Sequence, residues 1–144
     1  MDDIVIVSAA RTAVGKFGGS LAKTPATELG AAVIKAVVER SGLSAEQIGE
    51  VIMGQVLMAG QGQVPSRQAA VKAGIPMNVP AINVNKVCLS GLNSIYLADQ
   101  MIQAGDADIV IAGGMESMTN APYIASGARG GFRYGNTELK DAII

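Results

Sequence analysis

Histidine and tryptophan are both absent from the 144 residues, and cysteine occurs once. Histidine is the commonest general base near neutral pH. Any nucleophile here must therefore take its base from another residue type or from elsewhere. One cysteine excludes an internal disulfide framework and a cysteine-rich metal site, and no metal is expected. Charge of one sign is also missing: the formal net charge is −1, with no basic stripe. Without such a stripe, or any zinc-finger or RNA-binding signature, no nucleic-acid partner is expected. No apolar run reaches the roughly 18 residues of a membrane span, so no membrane association is expected. Met1-Asp2-Asp3 sets acidic residues before a short apolar run. A secretory signal needs the opposite, a basic start. The expectation is a soluble cytoplasmic protein.

What is present favours an ordered fold. Apolar residues make up 49% of the chain and charged residues 16%, too apolar a balance for disorder. The apolar content is mostly Ala, Val, Ile and Met, and with eighteen glycines it points to helices packed tightly on a sheet. Ile4-Val5-Ile6-Val7 reads as a strand buried on both faces. A glycine-bearing loop follows from Arg11 to Ser20. Thr24 and Pro25 predict a helix start, with Thr24 as cap and Pro25 at the first helical position. Leu29, Val33, Ala36 and Val37 keep helical spacing up to Gly42, a C-terminal stop. Ser44 and Gln47 match a capping box.

Val51-Ile52-Met53 reads as a second strand, and Gly54 to Gly62 as loop. A short helix is predicted over Pro65–Ala73, ended by Gly74. Ala81-Ile82-Asn83-Val84 reads as a third strand. The next helix is predicted to begin close to Cys88 and to run to Ala104, with Gly105 as its stop. It is apolar nearly all round, the pattern of a buried helix. Ile109-Val110-Ile111-Ala112 reads as a fourth strand. This alternation predicts an α/β fold: a mostly parallel sheet with helices on both faces. After Pro122 the character changes. Ser126 to Gly135 reads as an exposed loop, and Thr137 to Ile144 as the opening of a helix.

Few side chains are candidates for chemistry. Gly60-Gln61-Gly62-Gln63-Val64-Pro65 begins like a dinucleotide fingerprint but has Pro where a third Gly belongs. Its glycines are read as turn residues, with nucleotide binding a minor alternative. Cys88 follows the third strand and stands at a helix start. Ligands bind beyond the carboxyl ends of strands in such sheets. A helix amino terminus stabilises a thiolate, and its N–H groups can hold an oxyanion. Gly91 leaves room near the sulfur. Cys88 is thus either a catalytic nucleophile or a small buried hydrophobe. Glu116, past the fourth strand, is either a base or a structural carboxylate bonded to backbone, and the structural reading is favoured. Met115 and Met118 are read as packing, and Arg129 and Arg133 as solvated loop residues.

Five stretches taken together resemble one family, the thiolases. They are Ser8-Ala9-Ala10-Arg11-Thr12 with Gly15, Phe17, Gly18 and Leu21; Val51-Ile52-Met53-Gly54-Gln55-Val56; Pro65-Ser66-Arg67-Gln68-Ala69-Ala70; Asn85-Lys86-Val87-Cys88-Leu89-Ser90-Gly91; and Gly113-Gly114-Met115-Glu116-Ser117-Met118 with Pro122. They run in order over essentially the whole chain, and their wording is nearest that of bacterial members. The resemblance implies the amino-terminal half of a thiolase fold, incomplete. Residues 1–121 would be a half-domain lacking its last strand, and 122–144 the start of an inserted loop domain.

The implied activity is acyl transfer in fatty acid metabolism: condensation of two acetyl-CoA to acetoacetyl-CoA plus CoA, and the reverse thiolysis. Cys88 would be the catalytic residue, carrying the acetyl group, and its backbone N–H would contribute to an oxyanion hole. No permanently bound cofactor is implied; coenzyme A thioesters are substrates. The family's His-bearing segments, its second Cys and most of the coenzyme A pocket belong to a part of the enzyme outside this sequence, so the chain alone is expected to be inactive. The implied assembly is a homo-oligomer, a dimer of dimers, with the Arg129–Arg133 loop at the contact between dimers. Two other readings remain: a non-catalytic acyl-CoA-binding or partner subunit of the same fold, and another condensing enzyme such as a ketoacyl synthase.

Overall fold

A computed structural model describes residues 3–144. At its centre three strands, β1 (Glu50–Gly54), β2 (Ala81–Val84) and β3 (Val110–Gly114), form a parallel sheet in the order β2–β1–β3. Gly54 lies opposite Val84 on one side and Gly114 on the other, so all three strands finish at the same level. Every residue of the central strand is buried, as expected for an apolar run with a parallel neighbour on each side.

Three helices cover this sheet: α1 (Ala26–Ser41), α2 (Pro65–Lys72) and α3 (Ser90–Ala104). Side chains alternate faces along a strand. Val51 and Met53 share one core with Ala26 and Ile34 of α1 and Ala69 and Ala70 of α2. Ile52 and Gly54 point to the other face, where the start of α3 lies directly over Gly54. The expected parallel sheet with helices on both faces is present. Gly42 and Gly105 end α1 and α3 at φ +73° and +80°, a left-handed conformation that costs glycine little. No helix among the described residues is long and apolar enough to cross a membrane.

Several expectations need correction. Ile4–Val7 forms no strand: Val5, Ile6 and Val7 are 70%, 79% and 67% exposed and belong to no sheet. An apolar run encodes a preference for burial, but a strand exists only where a neighbour completes its hydrogen bonds. The main sheet of the described residues therefore has three strands rather than four. Thr24 does not cap α1. Pro25 holds that position, its carbonyl accepting from the Glu28 and Leu29 amides, while the Thr24 carbonyl accepts from Ser117 Oγ and Asn120 Nδ2.

Nor is α3 a buried helix. Only Ser90, Ser94 and Ala98 are buried, while Leu92, Ile95 and Tyr96 are exposed. The helix lies so close to the sheet that only small residues fit the seam, so Leu92, Ile95 and Tyr96 face away while Leu97, Met101 and Ile102 are half-buried. At the C-terminus no helix opens. β5 (Lys140–Asp141) pairs antiparallel with β4 (Tyr123–Ile124), and the Ala142 amide donates to the Pro122 carbonyl at 3.1 Å. That pairing joins residues far apart in sequence, so local periodicity carries no trace of it. The Ser126–Gly135 stretch is a loop, as expected, broken by one 3-10 turn at Ala128–Gly130.

Glu50, the first residue of β1, was not singled out by the sequence. It is 5% exposed, and its Oε1 is buried without a hydrogen-bond partner. Burial pushes its carboxyl up from the ordinary value, opposed in part by the Arg67 guanidinium and the Val51 amide. A raised folded-state pKa favours the neutral acid. Glu50 thus supports the fold fully below the pKa it has when unfolded, and that support is lost as pH rises through the folded value. Glu50→Gln is therefore expected to raise Tm near pH 7, with the gain vanishing by about pH 4. Thermal melts of both proteins across that range check this.

Candidate functional site

The strands end together where α3 begins, and three glycines allow the close approach. A Cβ on Gly54 would lie 2.5 Å from the Gly91 nitrogen and would also strike the Ser90 carbonyl carbon. A Cβ on Gly114 would lie 3.2 Å from Gly91 Cα. The amino end of α3 is thereby seated on the carboxyl ends of β1 and β3.

Between β2 and α3 the chain makes a sharp elbow, Asn85 to Leu89. Val87 lies at φ +50°, a region β-branched residues rarely occupy. The Val87 amide donates to Asn85 Oδ1 at 3.1 Å. Ser90 Oγ donates to the Val87 carbonyl at 2.6 Å and accepts from the Lys86 amide at 2.8 Å. Cys88 stands on this elbow with its thiol free and exposed. That overturns the alternative of a small buried hydrophobe. Among the described residues its amide has no acceptor.

Cys88 faces an open depression of about 390 Å³, lined also by Gly54, Val56, Val87, Gly91 and Glu116. Glu116 is there, but as a clamp. Its Oε2 accepts from the Val56 amide at 2.8 Å and its Oε1 from the Leu57 amide at 3.2 Å. Charge-assisted bonds of this kind fix a loop well. Both oxygens are engaged, so the structural role holds and the loop after β1 becomes a rim of the depression. Behind that rim Gln55, 1% exposed, donates to Gln61 Oε1 at 2.8 Å, and Gln61 Nε2 donates to the Leu57 carbonyl at 2.7 Å.

Of the remaining candidates only Met115 borders the same depression. Met115 is buried against Gly30, the packing role expected, and Met118 is half exposed. Arg129 and Arg133 sit on the exposed loop. Gly60 and Gly62 take φ +74° and +81°, as turn glycines do. A second depression of about 450 Å³, lined by Met58, Val64, Pro65, Ile82 and Asn83 among others, contains no ionisable or nucleophilic side chain. Among the described residues no three His, Cys, Asp or Glu side chains gather as a metal site would require. The sequence reading missed Asn85 and Ser90, whose types signal only a turn and a helix start.

The arrangement combines an exposed thiol, its own amide without an acceptor and the start of α3 two residues further on. These can attack a carbonyl carbon and steady the oxyanion that forms. No imidazole stands near to take a proton.

Comparison with known proteins identifies the family. The family model for the thiolase N-terminal domain matches residues 4–144. The chain is 64% identical over 144 residues to an acetyl-CoA acetyltransferase of Cupriavidus necator, covering all of this chain and 37% of that protein. It is 58% identical over 144 residues to an acetyl-CoA acetyltransferase of Pseudomonas aeruginosa, with the same coverage. A mitochondrial acetyl-CoA acetyltransferase of Xenopus tropicalis is 51% identical over all of this chain and 34% of its own length. The chain thus spans little more than a third of these relatives.

Proposed function

We propose, from the premise that this chain belongs to the thiolase family, that it is the nucleophile-bearing amino-terminal part of an acetyl-CoA acetyltransferase. The observation that carries this reading is Cys88 on a strained elbow at the start of α3, open to a depression at the strand ends. The Cys88 thiolate attacks the thioester carbonyl of acetyl-CoA. The carbon–sulfur bond to coenzyme A breaks, and coenzyme A leaves as a thiolate that takes up a proton. A second acetyl-CoA, deprotonated at its methyl carbon, attacks the acetyl-cysteine carbonyl. The cysteine thiolate departs, and acetoacetyl-CoA is released. Run backwards, the sequence is thiolysis. The covalent intermediate splits one difficult transfer into two easier ones.

The Cys88 amide holds an oxyanion in this scheme, and the proton acceptors come from outside residues 1–144. Residues 1–121 act as the half-domain that presents Cys88, and 122–144 open a loop domain. That loop, with Arg129 and Arg133, meets another dimer in a cytoplasmic homo-oligomer.

The test uses the full-length acyltransferase containing this chain. It is expected to convert acetyl-CoA to acetoacetyl-CoA and CoA without an acyl carrier protein, whereas the 144-residue chain alone gives no turnover. Dependence on an acyl carrier would make it another condensing enzyme. Binding of acyl-CoA without turnover would make it a non-catalytic member.

A further inference from the structure

Val87 is held in a conformation that its own side chain opposes. At φ +50° its branched Cβ crowds the backbone, and such a conformer persists only where the surroundings over-determine it. Two side chains supply that constraint. Asn85 Oδ1 accepts from the Val87 amide at 3.1 Å, fixing the peptide before Val87. Ser90 Oγ donates to the Val87 carbonyl at 2.6 Å, and the Ser90 amide reaches the same oxygen at 3.0 Å, fixing the peptide after it. Ser90 Oγ also accepts from the Lys86 amide at 2.8 Å, which ties both ends of the turn to one hydroxyl. Ser90 is 5% exposed, so water competes poorly for these bonds.

We propose that Asn85 and Ser90 are positioning residues that hold Val87 left-handed, so that Cys88 presents its thiol and its amide to the depression together. The inference rests on the reading of Cys88 as nucleophile and adds a cause for its orientation. The amide of Cys88 belongs to the peptide whose carbonyl Ser90 grips. If Val87 relaxed to an ordinary conformation, that peptide would rotate and carry the Cys88 N–H away from the place where an oxyanion forms. Val64 is also left-handed, at φ +41°, and Gln68 holds the peptides on both sides of it, its Nε2 donating to the Gln63 carbonyl at 3.0 Å and its amide to the Val64 carbonyl at 3.2 Å, but the residue that follows is Pro65, with no nucleophile and no N–H to present. The left-handed turn becomes a device only where Asn85, Ser90 and Cys88 share it.

Glycine takes positive φ without steric cost, which provides a test in the full-length enzyme. Ser90→Ala is expected to lower the rate of Cys88 acetylation by acetyl-CoA about tenfold or more, with KM changed less than about threefold, because pre-organisation acts on the chemical step. In a Val87→Gly background the same Ser90→Ala change is expected to cost less than about threefold, because the conformer no longer needs holding. Equal losses in both backgrounds would overturn the proposal and leave Ser90 as an ordinary helix-start bond. No loss in either background would overturn it as well. If Ser90→Ala does not fold by circular dichroism, Asn85→Ala takes its place, with the same dependence on residue 87 required. Mapping the acetyl group in the unsubstituted enzyme separates the two claims. A label away from Cys88 removes the nucleophile reading itself, whereas a label on Cys88 with equal losses removes only the clamp.

Discussion

Cys88→Ser in the full-length enzyme is expected to lower acetoacetyl-CoA formation by at least about 10⁴-fold, since removing a covalent nucleophile commonly costs that much or more. The fold should not respond. Cys88 is exposed, so the substitution disturbs little packing, and surface changes of this kind stay within about 0.5 kcal/mol. A hydroxyl there ionises far less readily than a thiol and is the weaker nucleophile at neutral pH. Steady-state assays beside a thermal melt separate the two effects. Retained activity would show that another group carries the acyl chain.

The second large effect is expected at Gly54, a residue with no chemistry of its own. Gly54→Ala should destabilise the fold by about 3 kcal/mol, at the upper end of ordinary overpacking, and should disable acetylation of Cys88. The added methyl would strike backbone, the Ser90 carbonyl carbon and the Gly91 nitrogen, and backbone cannot rotate away as a side chain can. Relief requires α3 to lift off β1, which moves the elbow with it. Gly113 is the control. A Cβ there meets only Met53 Sδ and Cε at 3.7 and 3.8 Å, ordinary contact with a flexible side chain. Gly113→Ala should therefore cost less than about 1 kcal/mol. Urea unfolding of both variants measures the difference, and equal costs would deny the seam its role.

Much of the site was legible because its signals are local. The strand over Ala81–Val84, the helix ending at Gly105 and the place of Cys88 between them follow from apolar runs and helix stops. The structure moves only the start of α3, to Ser90. Glu116 as a backbone clamp was also the favoured reading, and Val56 and Leu57 supply the two amides. What failed depended on partners distant in sequence. Ile4–Val7 has the composition of a strand, but the neighbour that would make it one is not encoded in those residues. Lys140–Asp141 carries no strand signal and pairs with Tyr123–Ile124 because the loop between them folds back. The surroundings of α3 misled for a related reason: an all-round apolar helix shows that its faces want cover without showing which face the sheet takes. The Asn85–Ser90 clamp was illegible for another cause, since no residue type announces that the valine between them is left-handed.

The central claim is that the elbow presents Cys88 as the acyl carrier. Brief exposure of the full-length protein to acetyl-CoA, an acid quench and peptide mass spectrometry test it most directly. The predicted result is one acetyl group on the peptide containing Cys88, lost when free coenzyme A is added before the quench. An acetyl group on any other residue, or turnover with Cys88 never labelled, would contradict it.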